Sequence, residues 1–363
     1  MTYSGEIISE LLSHYLWEDS NPIDRAKIEA LSLSEWEDIH KLALRQGVSG
    51  MVLDVIVAAQ ISIPFAVKMR FITSTDNIEK RYKDKVKAIS KLENIYSQNG
   101  IKLMVLKGAG LAQLYPVPNH RPCSDVDIWL FGKQVEADNI LRQQYNISIN
   151  EGHHHHTVFY IDGVMVENHY DFIEQHSRRS KRIIERYLKE LFERESPIET
   201  QIEGTNVYTP STNFNALFLT MHSGAHFAAE TIPLRHLTDW AMFLKRYHND
   251  IDWQSLTKLG EQFGFTPFLR CLNSACCSYL GMPKEYAHGV IAESDIVAKA
   301  IDDILEYRRI NIPEKFIKGW IFRIKRRFRN SWKQKMVYKD SQFIAFILSC
   351  LTHIIHPNWW KKE

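Results

Sequence analysis

Two aspartates, Asp125 and Asp127, lie two residues apart in the segment RPCSDVDIWL (121–130), directly before the apolar run from Ile128 to Phe131. Side chains at this spacing on a β-strand point to the same face, where two carboxylates repel each other and each resists the loss of water. A divalent cation between them would remove this repulsion, because hard cations bind carboxylate oxygens. The segment therefore predicts a cation site near the start of a strand, at an accessible sheet edge or in a cleft.

A third carboxylate is predicted on another strand. In the segment GVMVENHY, strand alternation places Met165, Glu167 and His169 on one face. A carboxylate within a strand is costly to bury unless it pairs with a cation. If this strand lies beside the one that carries Asp125 and Asp127, the three carboxylates converge and could hold two Mg²⁺ ions, which would clamp an attacking oxygen and a leaving pyrophosphate. His169 would then border the same cleft.

A glycine-containing turn upstream is suited to phosphate binding. Lys107, Gly108 and Ala109 lie at a predicted junction between a strand and a helix. Small residues let a phosphate group approach the backbone, and the N-terminus of the helix offers free N–H groups and a positive potential. Lys107 and Arg121 could add cationic contacts to a polyphosphate. We therefore predict that these four residues bind the nucleotide.

The elements that position these residues are predicted to form a small α/β sheet. An apolar run at 101–108 is typical of a buried strand, and two alternating runs flank Asp162 and Gly163, the favoured pair for a two-residue hairpin turn. A second short hairpin is possible at 198–208, and helical periodicity precedes and follows the sheet. The predicted fold is α+β, with a small mixed β-sheet core flanked by helical regions. The predicted domains are an N-terminal helical region at 1–95, the core at 96–210 and a C-terminal helical region with a basic tail at 211–363.

The segment VLKGAGLAQLYPVPNHRPCSDVDIWL (105–130) resembles the uncharacterised nucleotidyltransferase family of the DNA polymerase β-like superfamily. The shared pattern is Leu-Lys-Gly, a short helix that ends in Tyr-Pro, and Arg-Pro-x-x-Asp-x-Asp. The segment VMVENHYDF (164–172) is similar to a Val-Glu-Leu-His strand of that family, and PLRHLTDWAMFL (233–244) is similar to a helix that follows its core. The resemblance covers residues from about 35 to 355 and is densest at 103–131.

The resemblance implies an enzyme that transfers a nucleoside monophosphate from an NTP, with ATP expected, to an unidentified acceptor hydroxyl or phosphate. It implies Mg²⁺ or Mn²⁺ as cofactor, with Asp125, Asp127 and Glu167 as catalytic metal ligands and Gly108 as the turn glycine. Two positions depart from the superfamily pattern: Ala109 replaces a serine or glycine, and the third acid is Glu rather than Asp. An alternative function is a catalytically weak nucleotide-binding or interaction module that uses the basic C-terminal segment.

Several residues outside these motifs are further candidates. His222 and His226 lie four residues apart on one face of a predicted helix, a spacing that can bind zinc, although the glutamate of a zincin helix is absent. They could instead be buried, satisfied histidines or line the cleft. Arg235 and Asp239 form an i, i+4 pair that could stabilise a helix or brace the core near the cleft. The four histidines at 153–156 are predicted to alternate across a strand, so that one pair could border the active site.

A strongly basic stretch lies near the C-terminus. Residues 315–339 contain ten Lys or Arg and no acid, with six aromatic residues interleaved. This composition is suited to polyanion contact, either with nucleic-acid phosphates and stacked bases or with an anionic membrane surface. A solvated basic helix with one apolar face is the other interpretation.

The overall composition favours a soluble protein. The chain has 363 residues, a net charge of +2 and 45% hydrophobic residues. Its five cysteines have no metal-ligand spacing and form no even-numbered framework, which favours a reduced, cytoplasmic setting. The N-terminus lacks the basic start of a signal peptide, and the longest apolar stretch, 343–351, is too short to span a bilayer. We therefore expect a cytoplasmic protein with no transmembrane segment.

Overall fold

The computed structural model describes residues 2–17, 22–153, 155–175, 178–307 and 316–341. These residues form one six-stranded sheet and the α-helices α1 to α15. The strands are β1 (Met104–Val105), β2 (Val126–Trp129), β3 (His156–Ile161), β4 (Val164–His169), β5 (Ile198–Ile202) and β6 (Thr205–Thr209). The helices are α1 (Tyr3–Trp17), α2 (Arg25–Glu29), α3 (Leu33–Arg45), α4 (Ser49–Ala58), α5 (Phe65–Gln98), α6 (Ala109–Ala112), α7 (Gln134–Tyr145), α8 (Arg179–Arg194), α9 (Thr212–Ala229), α10 (Leu234–Tyr247), α11 (Trp253–Phe263), α12 (Thr266–Leu280), α13 (Ser294–Leu305), α14 (Phe316–Arg329) and α15 (Ser331–Val337).

The sheet is mixed and has the strand order β3-β4-β2-β1-β6-β5. β2 pairs with β4 and β1 pairs with β6 in parallel, whereas β1–β2, β3–β4 and β5–β6 are antiparallel pairs. This arrangement confirms the predicted α+β class with a small mixed sheet and flanking helices. β2 lies in the interior of the sheet between β4 and β1, so of the two expected placements, a sheet edge or a cleft, the sheet edge is wrong.

Both predicted hairpins are present. Asp162 and Gly163 have φ values of 50° and 80°, and Glu203 and Gly204 have φ values of 45° and 84°. Two-residue turns with positive φ at both positions match the right-handed twist of the strands that they join. The predicted strand at 101–108 is shorter in the structure, where β1 comprises Met104 and Val105, and single backbone hydrogen bonds at Leu103 and Leu106 extend its pairing with β6 and β2.

One face of the sheet packs on an apolar core. The side chains that alternate with the core residues along each strand therefore lie on the other face. Val126 and Ile128 of β2 and Val166 of β4 are buried in a cluster that also includes residues of α5 and α7. Asn168 lies on the same face as Val166 and donates a hydrogen bond of 2.8 Å from Nδ2 to Oδ1 of buried Asp138 on α7. Because strand residues alternate, Asp127, Glu167 and His169 lie on the opposite face.

The chain divides into two compact units. The α/β unit contains Glu79–Phe218 and the described residues after Tyr338, and the helical unit contains the described residues up to Ile78 together with Leu219–Tyr338. Within the helical unit, the buried Gln46 side chain donates from Nε2 to the carbonyl oxygen of Ile304 (2.8 Å) and accepts from the backbone N–H of Leu234 (2.7 Å). The domain boundaries predicted after residues 95 and 210 stay a prediction.

A buried glutamate on α8 holds the segment that follows β4. The carboxylate of Glu185 is 2% exposed and accepts hydrogen bonds from the backbone N–H groups of Phe172 (3.0 Å) and Ile173 (2.9 Å). Burial raises the pKa of Glu185 to about 7, although these hydrogen bonds and Lys189 act in the opposite direction. Folding therefore shifts the protonation equilibrium of Glu185 towards the neutral form, relative to the unfolded chain.

The stability of the chain is expected to depend on pH through Glu185. Since its pKa is raised on folding, its contribution is fully present below about pH 4.5 and is lost as the pH rises through 7. Relative to Glu185→Gln, the wild type should lose on the order of 3 kcal/mol of unfolding free energy across this range. Urea unfolding at several pH values measures the difference, and Glu190→Gln at an exposed position of the same helix is the control. A constant difference between wild type and Glu185→Gln would contradict this assignment.

Candidate active site

Asp127 and Glu167 lie directly opposite each other on two adjacent parallel strands. The register of β2 and β4 pairs Asp127 with Glu167 and Trp129 with His169. Nε2 of His169 lies 3.1 Å from Oδ1 of Asp127 and 3.5 Å from Oε2 of Glu167. The strand pairing on which the predicted convergence of carboxylates depends is therefore present, and a histidine joins the two acids.

Lys107 supplies a second positive charge to Asp127. Its Nζ lies 2.9 Å from Oδ1 of Asp127, and the antiparallel pairing of β1 with β2 continues through a hydrogen bond from Leu106 N–H to the Asp127 carbonyl oxygen (3.0 Å). Burial acts to raise the pKa of Asp127, but Lys107 and His169 outweigh it, and the pKa lies well below its ordinary value. Burial likewise opposes the charge of Lys107, but Asp127 and Asp125 raise its pKa. The contact between Lys107 and Asp127 was not predicted from the sequence.

Asp125 is in a different electrostatic situation from Asp127. It precedes β2, is half-buried, and accepts a hydrogen bond of 2.8 Å from the Ser124 hydroxyl. Burial and the charge of Asp127 raise the pKa of Asp125. In the described part of the chain, Asp127, Glu167 and His169 have ligand atoms within 4.8 Å of one another, and Asp125 is not in that group. Metal binding by Asp125 therefore stays a prediction.

The predicted phosphate-binding turn is held by Arg121. Gly108 has φ +57° and ψ −115°, a conformation that side chains other than glycine rarely adopt, so the turn requires glycine here. Arg121 is 4% exposed and donates from Nη1 to the carbonyl oxygens of Gly108 (3.1 Å) and Pro122 (3.3 Å). Arg121 thus positions the turn, a role that the sequence analysis did not assign, and its contact with phosphate stays a prediction.

The helix after this turn is short, as predicted. α6 has only four residues, and the N–H of Gly110 donates to the carbonyl oxygen of Lys107 (2.9 Å). A single helical turn has only a small dipole, so α6 adds little positive potential at the turn. The side chain of Ala109 is buried in the apolar cluster beneath the sheet. Ala109, which replaces the serine or glycine of the superfamily pattern, therefore has a packing role.

Two histidines that precede or begin β3 approach the carboxylates. The prediction for 153–156 assumed one alternating strand, but β3 begins at His156, and alternation does not apply to the residues before it. Residue 154 lies outside the described residues. The rings of both His155 and His156 lie close to His169, with centroid separations of 5.4 and 5.1 Å. The expected alternation is therefore wrong for these two residues, and both border the site.

His169 differs in charge from His155 and His156. Burial lowers the pKa of His155 to about 2 and that of His156 to about 4, so both are neutral near pH 7. Burial acts in the same direction on His169, but Asp127 and Glu167 raise its pKa to about 9. His169 is therefore a cation that donates from Nε2 to Asp127 and from Nδ1 to the carbonyl oxygen of Asp171 (3.1 Å).

The donor set fits a divalent cation. Oδ2 of Asp127 is buried and accepts no hydrogen bond from any residue that the structure describes. Buried carboxylate oxygens are normally paired, so an unpaired one beside Glu167 and His169 is suited to a metal ligand. Lys107 and His169 supply the positive charge that a cation would otherwise provide. Asp127, Glu167 and His169 are therefore the residues that could hold a metal here.

The other candidates belong to the helical unit. The rings of His222 and His226 lie 4.7 Å apart, and His236, which the sequence analysis missed, lies 5.6 Å from His222. Groups of at least three ligand side chains within 4.8 Å occur, among the described residues, around His169 and do not include these histidines. Asp239 is buried and Arg235 is half-buried. A contact of these residues with nucleotide or acceptor stays a proposal.

Some basic side chains of the stretch 315–339 are buried in the fold and others are exposed. Its first residue, 315, and the apolar stretch 343–351 lie outside the described residues. Lys333 is 1% exposed and pairs with Asp303 at 2.9 Å, whereas Lys325, Arg329 and Lys335 are exposed. No helix in the described part of the chain combines the length and apolar character needed to cross a bilayer.

The fold and the site define an α+β protein whose mixed sheet presents carboxylates on adjacent parallel strands beside a glycine turn. The family model described as uncharacterised nucleotidyltransferase matches residues 32–281, more than half of the chain, and the chain belongs to this family. This match confirms the resemblance found in the sequence, and it implies an NTP as substrate. Comparison with curated proteins found no match, and comparison with solved structures found none either.

Proposed function

We propose that the chain moves a nucleoside monophosphate from an NTP, with ATP as the expected donor, to an acceptor hydroxyl or phosphate, with Mg²⁺ or Mn²⁺ as cofactor. The observation that carries the proposal is the register of β2 and β4, which sets Asp127 opposite Glu167. Asp125 lies two residues before Asp127. A Cβ atom placed on Gly108 would lie 3.4 Å from the carbonyl oxygen of Asp125. The acids and the Gly108 turn, for which we propose phosphate binding, are thus neighbours.

The proposed reaction forms one phosphorus–oxygen bond and breaks another. The acceptor oxygen attacks the α-phosphorus, the bond to the oxygen that bridges the α- and β-phosphates breaks, and pyrophosphate leaves with the electron pair. A bound divalent cation would align the attacking and leaving oxygens and neutralise their developing charge. Asp125, Asp127 and Glu167 would hold it, since hard cations prefer carboxylate oxygens.

Glu167 is the residue best suited to take the proton of the acceptor. Its side chain is 18% exposed, whereas that of Asp127 is 1% exposed, so an acceptor can reach Glu167 more readily. His169 lies 3.5 Å from its carboxylate and limits the orientations that Glu167 can adopt. A carboxylate held beside the acceptor oxygen can act as a general base.

Lys107 is suited to exchange partners when substrate binds. Its Nζ pairs with Asp127 in the structure, and a cation bound to Asp127 would compete for the same carboxylate. The displaced ammonium group would then be free to contact a phosphate, as the sequence analysis predicts. The exposed side chains of Lys325, Arg329 and Lys335 are the part of the basic stretch that we propose for polyanion contact.

ATP binding is expected to require a divalent cation. The carboxylates of Asp125, Asp127 and Glu167 repel a triphosphate unless a cation lies between them. Calorimetry should therefore detect ATP binding with Mg²⁺ or Mn²⁺ and none in EDTA. Asp162→Asn removes an exposed carboxylate from the hairpin turn and should bind ATP like the wild type. Equal affinity in EDTA would contradict the cation requirement.

A further inference from the structure

Three histidines form a nitrogen-rich cluster beside the carboxylates. His155, His156 and His169 each offer a ring nitrogen, and these atoms lie within 4.8 Å of one another. His156 and His169 face each other across the antiparallel pair β3–β4. The cluster therefore has a donor set different from the oxygen ligands of the two aspartates.

Two of these histidines have buried nitrogens with no hydrogen-bond partner among the described residues. They are Nδ1 of His155 and Nδ1 of His156, and His156 is only 7% exposed. Buried polar atoms in folded proteins are almost always paired, so two neighbouring unpaired nitrogens indicate an additional ligand. Nδ1 of His156 lies 3.8 Å from Oε2 of Glu167, too far for a hydrogen bond.

The distances are suited to a shared metal ion. Nε2 of His169 lies 3.5 Å from the same Glu167 oxygen that lies 3.8 Å from His156. Ligands about 2.0–2.1 Å from one tetrahedral Zn²⁺ lie about 3.3 Å apart. Small side-chain movements would therefore bring Glu167, His156 and His169 into one coordination sphere.

The surroundings of the cluster orient its ligands. Nδ1 of His169 donates to the carbonyl oxygen of Asp171 (3.1 Å), which directs Nε2 towards the cluster. Metal-binding histidines usually have such a partner on the nitrogen that does not bind the metal. The carbonyl oxygen of His155 accepts hydrogen bonds from the backbone N–H groups of Tyr170 (3.0 Å) and Asp171 (3.1 Å). The backbone on both sides of the cluster is thus fixed.

We propose that His155, His156 and His169, with Glu167 as the fourth ligand, bind a divalent transition-metal ion of the Zn²⁺ class. On binding, Nε2 of His169 releases its proton to solvent, and the metal ion takes the place of the hydrogen bond from Nε2 to Asp127. Imidazole nitrogens select Zn²⁺, Co²⁺ and related ions over Mg²⁺, which prefers oxygen ligands. This site shares Glu167 with the proposed nucleotide transfer but goes beyond it, because binding of the metal alone requires neither NTP nor acceptor.

The test is metal binding by the untagged, metal-free chain. Equilibrium dialysis and elemental analysis should find one Zn²⁺ per chain in a large excess of Mg²⁺. His155→Gln and His156→Gln should each weaken Zn²⁺ binding by roughly tenfold or more. His153→Gln is the matched control, because His153 belongs to the same run but not to the ligand group. Equal Zn²⁺ binding by wild type and His156→Gln, or displacement of Zn²⁺ by Mg²⁺, would overturn the proposal.

A measurement on the unaltered chain covers the case in which a variant does not fold. In the Co²⁺-loaded chain, the Nδ1–H of His169 should give a paramagnetically shifted, exchangeable proton NMR signal. The absence of shifted imidazole signals would also overturn the proposal. Asp125→Asn separates this site from the proposed function, because it should keep Zn²⁺ binding even where nucleotide transfer is lost.

Discussion

Asp125→Asn and Asp127→Asn are both expected to abolish nucleotide transfer, but only Asp127→Asn should destabilise the fold. Asp127 is 1% exposed and pairs with both Lys107 and His169, so its loss removes the carboxylate that pairs with the Lys107 ammonium group and leaves His169 with only its longer contact to Glu167 (3.5 Å). Removal of one member of a buried ion pair costs roughly 3–5 kcal/mol. The pKa of Asp125 is raised instead, because burial and Asp127 disfavour its charge. A neutral side chain at 125 should therefore leave stability unchanged or increase it.

Urea unfolding and transfer of label from an NTP test this pair of variants. Glu193→Gln, at an exposed position of α8, should match the wild type in both measurements. An Asp127→Asn variant as stable as the wild type would contradict the ion-pair account. An Asp125→Asn variant that transfers label normally would contradict the metal-binding role of Asp125.

Glu167→Gln is expected to reduce transfer strongly and to leave the binding of ATP with Mg²⁺ within a few-fold of wild type. The substitution keeps the size of the side chain but removes the charge that a general base or catalytic metal ligand needs. Loss of such assistance costs roughly 10²-fold or more in rate. Folding should survive, because Glu167 is partly exposed and lies opposite the carboxylate of Asp127.

Single-turnover transfer and calorimetry separate the rate from the binding. Glu193→Gln, at an exposed position of α8, is the control for loss of a carboxylate elsewhere in the same unit. If Glu167→Gln transfers at the wild-type rate while Asp127→Asn does not, Glu167 is not the third acid. Asp171 or one of the histidines at 153–156 would then be the next residue to test.

The local elements of the sheet could be predicted because short-range chemistry specifies them. Asp162 and Gly163 adopt the positive φ values that a two-residue hairpin requires, and alternation in β4 correctly placed Glu167 and His169 on one face. Residues 105–130 were also sufficient to reveal the family. These features depend on the backbone conformations that each residue type prefers and on the two-residue repeat of a strand, and both can be read from a single sequence.

Contacts that depend on long-range pairing could not be predicted. Nothing local in the sequence specifies that β2 pairs in parallel with β4, and the position of Asp127 opposite Glu167 depends on that register. The ion pair of Lys107 with Asp127 likewise requires the antiparallel pairing of β1 with β2. The sequence therefore suggested a phosphate contact for a lysine whose partner in the structure is a carboxylate.

Strand boundaries account for the remaining differences. The alternation expected across 153–156 assumed a strand throughout, whereas β3 starts at His156. His155 precedes the strand, and both histidines therefore approach His169. Arg121 was expected to add a cationic contact to a polyphosphate, whereas tertiary packing, which the sequence does not display, buries it against the Gly108 turn.

The central claim is transfer of a nucleoside monophosphate, and the position of the transferred phosphorus tests it most directly. The purified chain is incubated with cell extract, Mg²⁺ or Mn²⁺, and ATP labelled at either the α- or the γ-phosphate, with Asp125→Asn as the inactive control. We predict that label from the α-position appears on an acceptor, that pyrophosphate is released, and that label from the γ-position is not transferred. Transfer of the γ-label by the wild type but not by Asp125→Asn, or no transfer of α-label from any NTP, would contradict the account.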